Sequence, residues 1–350
     1  MLLQTEVSIP SAPTAICHSD KLLLLGSCFA ENIGKRLVEN KFQCDINPFG
    51  TLYNPSSVAQ ALRRLVDGTP YDKSDLHYFE GVGWCTWEHH SRFAAEKEND
   101  ALEKENRRML SSSDGLKKAK FLIVTFGSAW VYRLRETSAE NEQKGEETGI
   151  GDKRKNRVVA NCHKQPERLF ERSLLTVDDI VDEWKPLLER LHKLNPQLQV
   201  LFTVSPIRHL RDGAHSNQLS KATLLLAVQR MIDECEKDLS LLYFPAYEIM
   251  LDELRDYRFY ADDMTHPSAL AEQYIWERFG DTFFNAETKQ IIKEWEEVSR
   301  ALNHRPFRPD SEEHKRFIRQ TLLKIEAIRK KMPYFEVEKE IAQCHTILNR

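Results

Sequence analysis

Four consecutive leucines, Leu22 to Leu25, run directly into Gly26-Ser27 and then into Cys28-Phe29-Ala30-Glu31-Asn32-Ile33-Gly34-Lys35-Arg36-Leu37. A short, unbroken apolar run reads as a strand buried on both faces. The segment after Ser27 reads as a helix. The predicted unit is strand, sharp turn, helix. Such a turn presents a serine hydroxyl at the strand's carboxyl end and aims a helix N-terminus at it. A nucleophile there has backbone N–H donors beside it for an oxyanion. A serine at this place is equally the ordinary N-cap of its helix, so Ser27 needs support from elsewhere in the chain.

The strand signal recurs at residues 42–46, 121–127, 198–204 and 241–244. The run at 121–127 ends in Gly127, as expected for a central parallel strand. Helices are predicted at 56–66, capped by Ser56 or Ser57, at 95–110, and from Thr176 or Asp178 to 194. A longer one spans 217–239, with Leu224, Val228, Met231, Ile232 and Cys235 on one face. Residues 246–260 read as helical in part, and Ser268 caps a helix after a polar loop. Strands alternating with helices in this way give a doubly wound α/β sheet of about five parallel strands. Residues 68–93 are aromatic and irregular, either a cover over the core or a pocket wall. Residues 136–157, rich in Gly, Glu and Lys, read as a flexible excursion. Residues 286–350 lack strand signals and carry a helical stripe of Ile318, Leu322, Ile325 and Ile328. The expected organisation is therefore a body over 1–285 and a helical C-terminal extension over 286–350.

Charge and composition exclude several function classes. A net charge of -4 argues against nucleic acid as a partner. No apolar run approaches the roughly 18 residues of a membrane span. The 7 cysteines are dispersed, without a C-x-x-C pair. That pattern reads as reduced thiols and a cytoplasmic setting. The first residues lack the pattern of a signal peptide. His89-His90, Cys162-His163, His209 and His215 have no standard zinc spacing, so neither a metal nor another cofactor is expected.

In a doubly wound sheet, ligands sit outside the carboxyl ends of the strands. Chain order puts Ser27, the Asn47–Gly50 loop, Gly127-Ser128, Ser205 to His209, and Asp263 to His266 at that end. Asp263 stands three residues before His266, so a turn brings its carboxylate to the imidazole. His266 is then available to take the Ser27 proton. Asp262 points elsewhere. Cys28 is the competing nucleophile, but neighbours in a helix face apart and free cysteines are usually buried.

Gly26-Ser27-Cys28-Phe29-Ala30 spells the signature of the GSCFA family, which is grouped with SGNH/GDSL-type hydrolases. The resemblance continues through Asn47-Pro48-Phe49-Gly50, Thr125-Phe126-Gly127-Ser128-Ala129-Trp130, Asn161-Cys162-His163-Lys164, Ser205-Pro206-Ile207-Arg208-His209 and Tyr257 to Ser268. It covers about residues 20–285. It implies an SGNH-hydrolase-like (flavodoxin-like) three-layer fold, with Ser27, Asp263 and His266 as a catalytic triad. It further implies an oxyanion hole built from the Ser27 N–H, the Gly50 N–H and an Asn side chain. The Asn is missing, since Ala129 stands in its block. Ser128 or Asn161 is the expected substitute. His163, Lys164, Arg208 and His209 are read as a cationic wall for an acidic substrate group. The expected activity is hydrolysis of an ester on an acylated small molecule or carbohydrate. A ligand-binding module that kept the fold without the chemistry is the alternative.

Overall fold

The computed structural model describes residues 5–135, 157–235 and 239–349. The flexible excursion read from the sequence falls, apart from Arg157, outside the described residues. The strands are β1 (Lys21–Gly26), β2 (Gln43–Ile46), β3 (Leu76–Phe79), β4 (Gly83–Thr86), β5 (Phe121–Phe126), β6 (Trp130–Leu134), β7 (Val158–Val159), β8 (Phe170–Leu174), β9 (Gln199–Val204) and β10 (Ser240–Phe244). The helices are α1 (Cys28–Glu39), α2 (Pro55–Asp67), α3 (Glu98–Leu116), α4 (Val177–Leu194), α5 (Gly213–Glu234), the short α6 (Ala246–Glu248), α7 (Ala269–Phe283), α8 (Ala286–Asn303), α9 (Glu312–Lys331) and α10 (Glu338–Leu348).

The central sheet has five strands in the order β10-β9-β5-β1-β2, all parallel. The leucine run explains its two covered faces. Leu23 and Leu25 enter one apolar layer with Leu122, Val124, Phe126, Phe202 and Val204. Leu22 and Leu24 enter the other with Phe121, Ile123, Leu201 and Phe244. Side chains alternate across a strand, so one uninterrupted run feeds both layers. Each leucine buried in this way contributes about 1.5–3 kcal/mol. Helices α2, α4 and α5 close the first layer, and α1 and α7 close the second. Counted in sheet strands alone, the order is 2-1-3-4-5, which places the topological switch point between β1 and β5. Gly26 lies opposite Thr125, and Thr125 opposite Thr203, so the three strands end together.

Several sequence expectations are corrected. Residues 68–93 contain the antiparallel pair β3-β4, and a three-stranded antiparallel sheet, β7-β6-β8, had no expectation at all. These strands are 2 to 5 residues long, too short for a periodicity to mark them, and β6 pairs with partners distant in sequence. Helix α2 is capped by Asn54, with Pro55 opening the first turn, rather than by Ser56 or Ser57. Helix α3 runs on through three serines, because Ser113 donates to the Leu65 carbonyl at 2.6 Å and Ser112 to Asp45 at 2.6 Å. Helix α5 starts at Gly213 and ends at Glu234, both earlier than the periodicity suggested.

Helices α8, α9 and α10 share a separate apolar cluster that includes Trp295, Ile318, Ile325, Ile328 and Val337. Trp295 Nε1 donates to the Glu39 carbonyl at 2.9 Å, and Lys41 pairs with Glu340 at 2.7 Å, which seats these helices beside α1. A cleft of about 1290 Å³ opens between β2 and the C-terminal helices, and no predicted site residue lines it. Among the described residues, no helix is long and apolar enough to cross a membrane.

Candidate active site

The turn after β1 is set by a close approach of two strands. Gly26 has φ +138, and a Cβ there would fall 2.1 Å from the Thr125 carbonyl oxygen, so only glycine fits. Its N–H donates to Asn47 Oδ1 at 2.9 Å. Ser27 follows as the N-cap of α1, its Oγ accepting from the Phe29 N–H at 3.3 Å. The Ser27 N–H donates to the Thr125 carbonyl at 3.1 Å. Ser27 is fully buried at the positive end of the helix. Burial pushes the neighbouring Cys28 thiol up, away from the reactive thiolate form.

The Asn47–Gly50 loop is latched onto this turn. Asn47 N–H donates to Leu24 O at 2.8 Å, and Leu52 N–H to Gly26 O at 2.9 Å. The Gly50 N–H closes its own turn on the Asn47 carbonyl at 2.8 Å. Gly50 has φ +86, and a Cβ there would meet His90 Cβ at 2.2 Å. The Tyr53 carbonyl accepts from Gly127 and Ser128 N–H at 2.8 and 2.9 Å, joining the loop to the end of β5. The sequence places Asn47 in the loop at the strand ends but assigns its side chain no role. Its left-handed φ of 44 and buried amide make it the latch between β1 and the loop.

Lys221 was also missed, although it stands on the buried stripe of α5 with Leu224 and Val228. A lysine at helical spacing among apolar residues was the available signal. Its Nζ donates to the Gly127 and Ser205 carbonyls, both at 2.7 Å. It thereby ties the exits of β5 and β9 together. Burial lowers its ammonium to about 7.

The Asp263–His266 turn is built locally. Asp263 Oδ1 accepts from the N–H groups of Thr265 and His266, both at 2.9 Å. Its Oδ2 lies 2.5 Å from His266 Nδ1. An ionised carboxylate only accepts, so in the neutral ring the proton sits on Nδ1 and Nε2 is the basic nitrogen. These backbone and ring N–H groups hold the Asp263 carboxyl well below the usual carboxylate range. The pair is half exposed, at 49% for His266 and 50% for Asp263. Asp262 is exposed and takes no part in the turn's hydrogen bonds. Among the described residues no hydrogen bond joins Ser27 to His266.

The exit of β9 reaches both halves. The Arg208 N–H donates to the Thr265 carbonyl at 3.1 Å. Its guanidinium lies 5.9 Å from the Tyr260 ring, and no carboxylate pairs with it among the described residues. The His209 N–H donates to Asn217 Oδ1 at 2.9 Å, and its ring meets Tyr53 edge-on at 5.7 Å. A Cβ built on Gly127 would lie 3.3 Å from both His209 Nε2 and Ser27 Cβ.

Other expected residues make different contacts. Ser128 Oγ shares a hydrogen bond with Ser220 at 3.2 Å and accepts from the Trp130 N–H at 3.2 Å. Asn161 Oδ1 accepts from the His163 N–H at 2.7 Å. His163 is fully buried, its ring nitrogens meeting Ser91 Oγ at 3.2 Å and the Thr86 carbonyl at 3.0 Å. It stacks on Phe79 at 4.2 Å. Lys164 is exposed, with φ 58. The cationic wall therefore needs correction. Burial lowers both His163 and His209 to about 4, so each ring is neutral at physiological pH, and only Lys164 and Arg208 bring charge.

The model described as "GSCFA family" matches residues 21–279. The model described as "GSCFA domain protein, C-terminal domain" matches residues 295–350. No curated protein matches the chain. Among solved structures, a carbohydrate esterase family 3 protein from Talaromyces cellulolyticus is similar at 10% identity and a TM-score of 0.33, over 79% of this chain and 99% of that one.

Proposed function

The chain belongs to the GSCFA family, and from that premise we propose that it is a serine ester hydrolase acting on an acylated small molecule or carbohydrate. The observation that carries this reading is the Asp263–His266 pair, closed at 2.5 Å on a loop tied to the exit of β9. A carboxylate that holds Nδ1–H orients Nε2 as a general base. In this reading His266 Nε2 takes the Ser27 proton as Oγ bonds to the ester carbonyl carbon. The alcohol departs with that proton and leaves an acyl-Ser27. Water then attacks the acyl carbon as His266 takes its proton; the acyl–Oγ bond breaks, that proton returns to Ser27, and the acid is released. Asp263 stabilises the imidazolium formed in each step.

The test is labelling with a fluorophosphonate probe, followed by peptide mapping. Covalent mass on the Ser27 peptide, lost in Ser27→Ala and in His266→Ala, supports the reading. Label elsewhere, or none on a folded protein, overturns it. The buried, capped hydroxyl of Ser27 favours a second reading, a binding module that retains the fold. Under that reading the probe leaves Ser27 unmodified, and Ser27→Ala binds ligand as the parent does.

A further inference from the structure

A serine hydrolase needs donors for the oxygen that gains charge in the tetrahedral intermediate, and Ala129 stands where the family resemblance calls for an asparagine. We propose that His209 supplies that donor, its Nε2–H hydrogen-bonding the oxyanion formed on Ser27. The proposal rests on Ser27 being the nucleophile.

Position comes first. His209 Nε2 and Ser27 Cβ each lie 3.3 Å from the same point, the place a Gly127 Cβ would take, and so within about 6.6 Å of each other. One hydrogen bond of about 2.9 Å, added to the bonds from Cβ through Oγ and the carbonyl carbon to its oxygen, spans that interval. The glycine keeps the space open. Next is the state of the nitrogen itself. Nε2 is buried and has no hydrogen-bond partner among the described residues. Buried polar atoms are nearly always satisfied, so an orphaned one facing a nucleophile points to a partner that arrives with the substrate.

The rest of the site fits this role. The Asn217 bond anchors the His209 backbone and Tyr53 packs edge-on against its ring, so the donor is placed before the reaction. Burial, with the nearby Lys221 ammonium, lowers His209 to about 4 and keeps its imidazole neutral. The Ser128 hydroxyl is engaged with Ser220 and Trp130. In the step, Ser27 Oγ bonds the carbonyl carbon, and the π pair moves to the carbonyl oxygen. The hydroxyl proton passes to His266 Nε2. His209 keeps its own proton and only donates a hydrogen bond. On collapse the pair returns, and the alcohol leaves with the proton from His266.

The experiment measures the rate of fluorophosphonate labelling of Ser27, and kcat and KM on any ester accepted, in the parent, His209→Ala and His209→Asn. Phosphonylation also builds charge on an oxygen beside Ser27, so the probe reads the same donor without a known substrate. Thermal melting checks that each variant is folded. His209→Ala should lower the labelling rate and kcat by about 10²- to 10³-fold with KM little changed. His209→Asn, whose amide can donate but cannot serve as a base, should restore most of the loss. A parent that labels normally, with His209→Ala equal to it, overturns this inference and leaves the hydrolase reading intact. Equal losses in His209→Ala and His209→Asn also overturn it, because the ring would then act as a base. A parent that does not label removes both.

Discussion

The two halves of the candidate site are built in opposite ways. Ser27 is fully buried, seated by bonds from β1, β5 and the Asn47 loop. Asp263 and His266 stand half exposed on a turn that closes on itself. The place of Ser27, the proposed nucleophile, is a property of the whole sheet, whereas the proposed acid–base pair is a property of a few consecutive residues. Damage to the first half should therefore show in stability as well as rate. Damage to the second should show in rate alone.

Ser27→Ala tests this most severely. It should lower kcat by about 10⁶-fold, as loss of a nucleophile does elsewhere. It should also cost about 1 kcal/mol in chemical denaturation, because the helix loses its cap. A full loss of activity with unchanged stability would mean that the cap bond contributes nothing. Asp263→Asn comes next, with kcat lower by up to about 10⁴-fold. Its melting temperature should stay close to the parent's, and Asp262→Asn should leave turnover nearly unchanged. Equal kinetic effects of the two substitutions would remove Asp263 from its role.

Gly127→Ala sharpens the boundary between the halves. Its methyl group would sit 3.3 Å from His209 Nε2 and Ser27 Cβ and 3.2 Å from the Tyr53 carbonyl. A displacement of this kind near the reacting atoms should cost about 10²-fold in kcat. A fully active Gly127→Ala would show that the space is unused. The smallest effect concerns Lys221. Its folded ammonium is lowered to about 7, below its value in the unfolded chain. The unfolded state therefore binds more protons between those two values, and stability rises with pH from about 7 toward 10. Melting curves of the parent and Lys221→Met across that range should differ in slope, with the rise weaker in the variant. Identical slopes would show that Lys221 is not the titrating group.

Much of this is legible in the sequence. The central strands announced themselves because strands buried on both faces must be continuously apolar. Asp263 and His266 were legible because a contact across three residues needs only a turn. The β6–β8 sheet was not, since its short strands are stabilised by partners far along the chain. The charge state of His163 and His209 was not either. A histidine in a polar motif reads as a cation, and only its desolvation shows otherwise.

By itself the sequence determined the five strands of the central sheet, the Gly-Ser turn and the local carboxylate–imidazole pair, all from periodicity, backbone restrictions and contacts within a few residues. The tertiary structure decided what surrounds Ser27. Residues 27, 127, 209 and 221 come from separate segments, and only the 2-1-3-4-5 strand order brings β1, β5 and β9 to a common end. Burial, which sets whether His209 and Lys221 carry charge, exists only once the layers are packed, because desolvation belongs to the assembled core and to no stretch of chain.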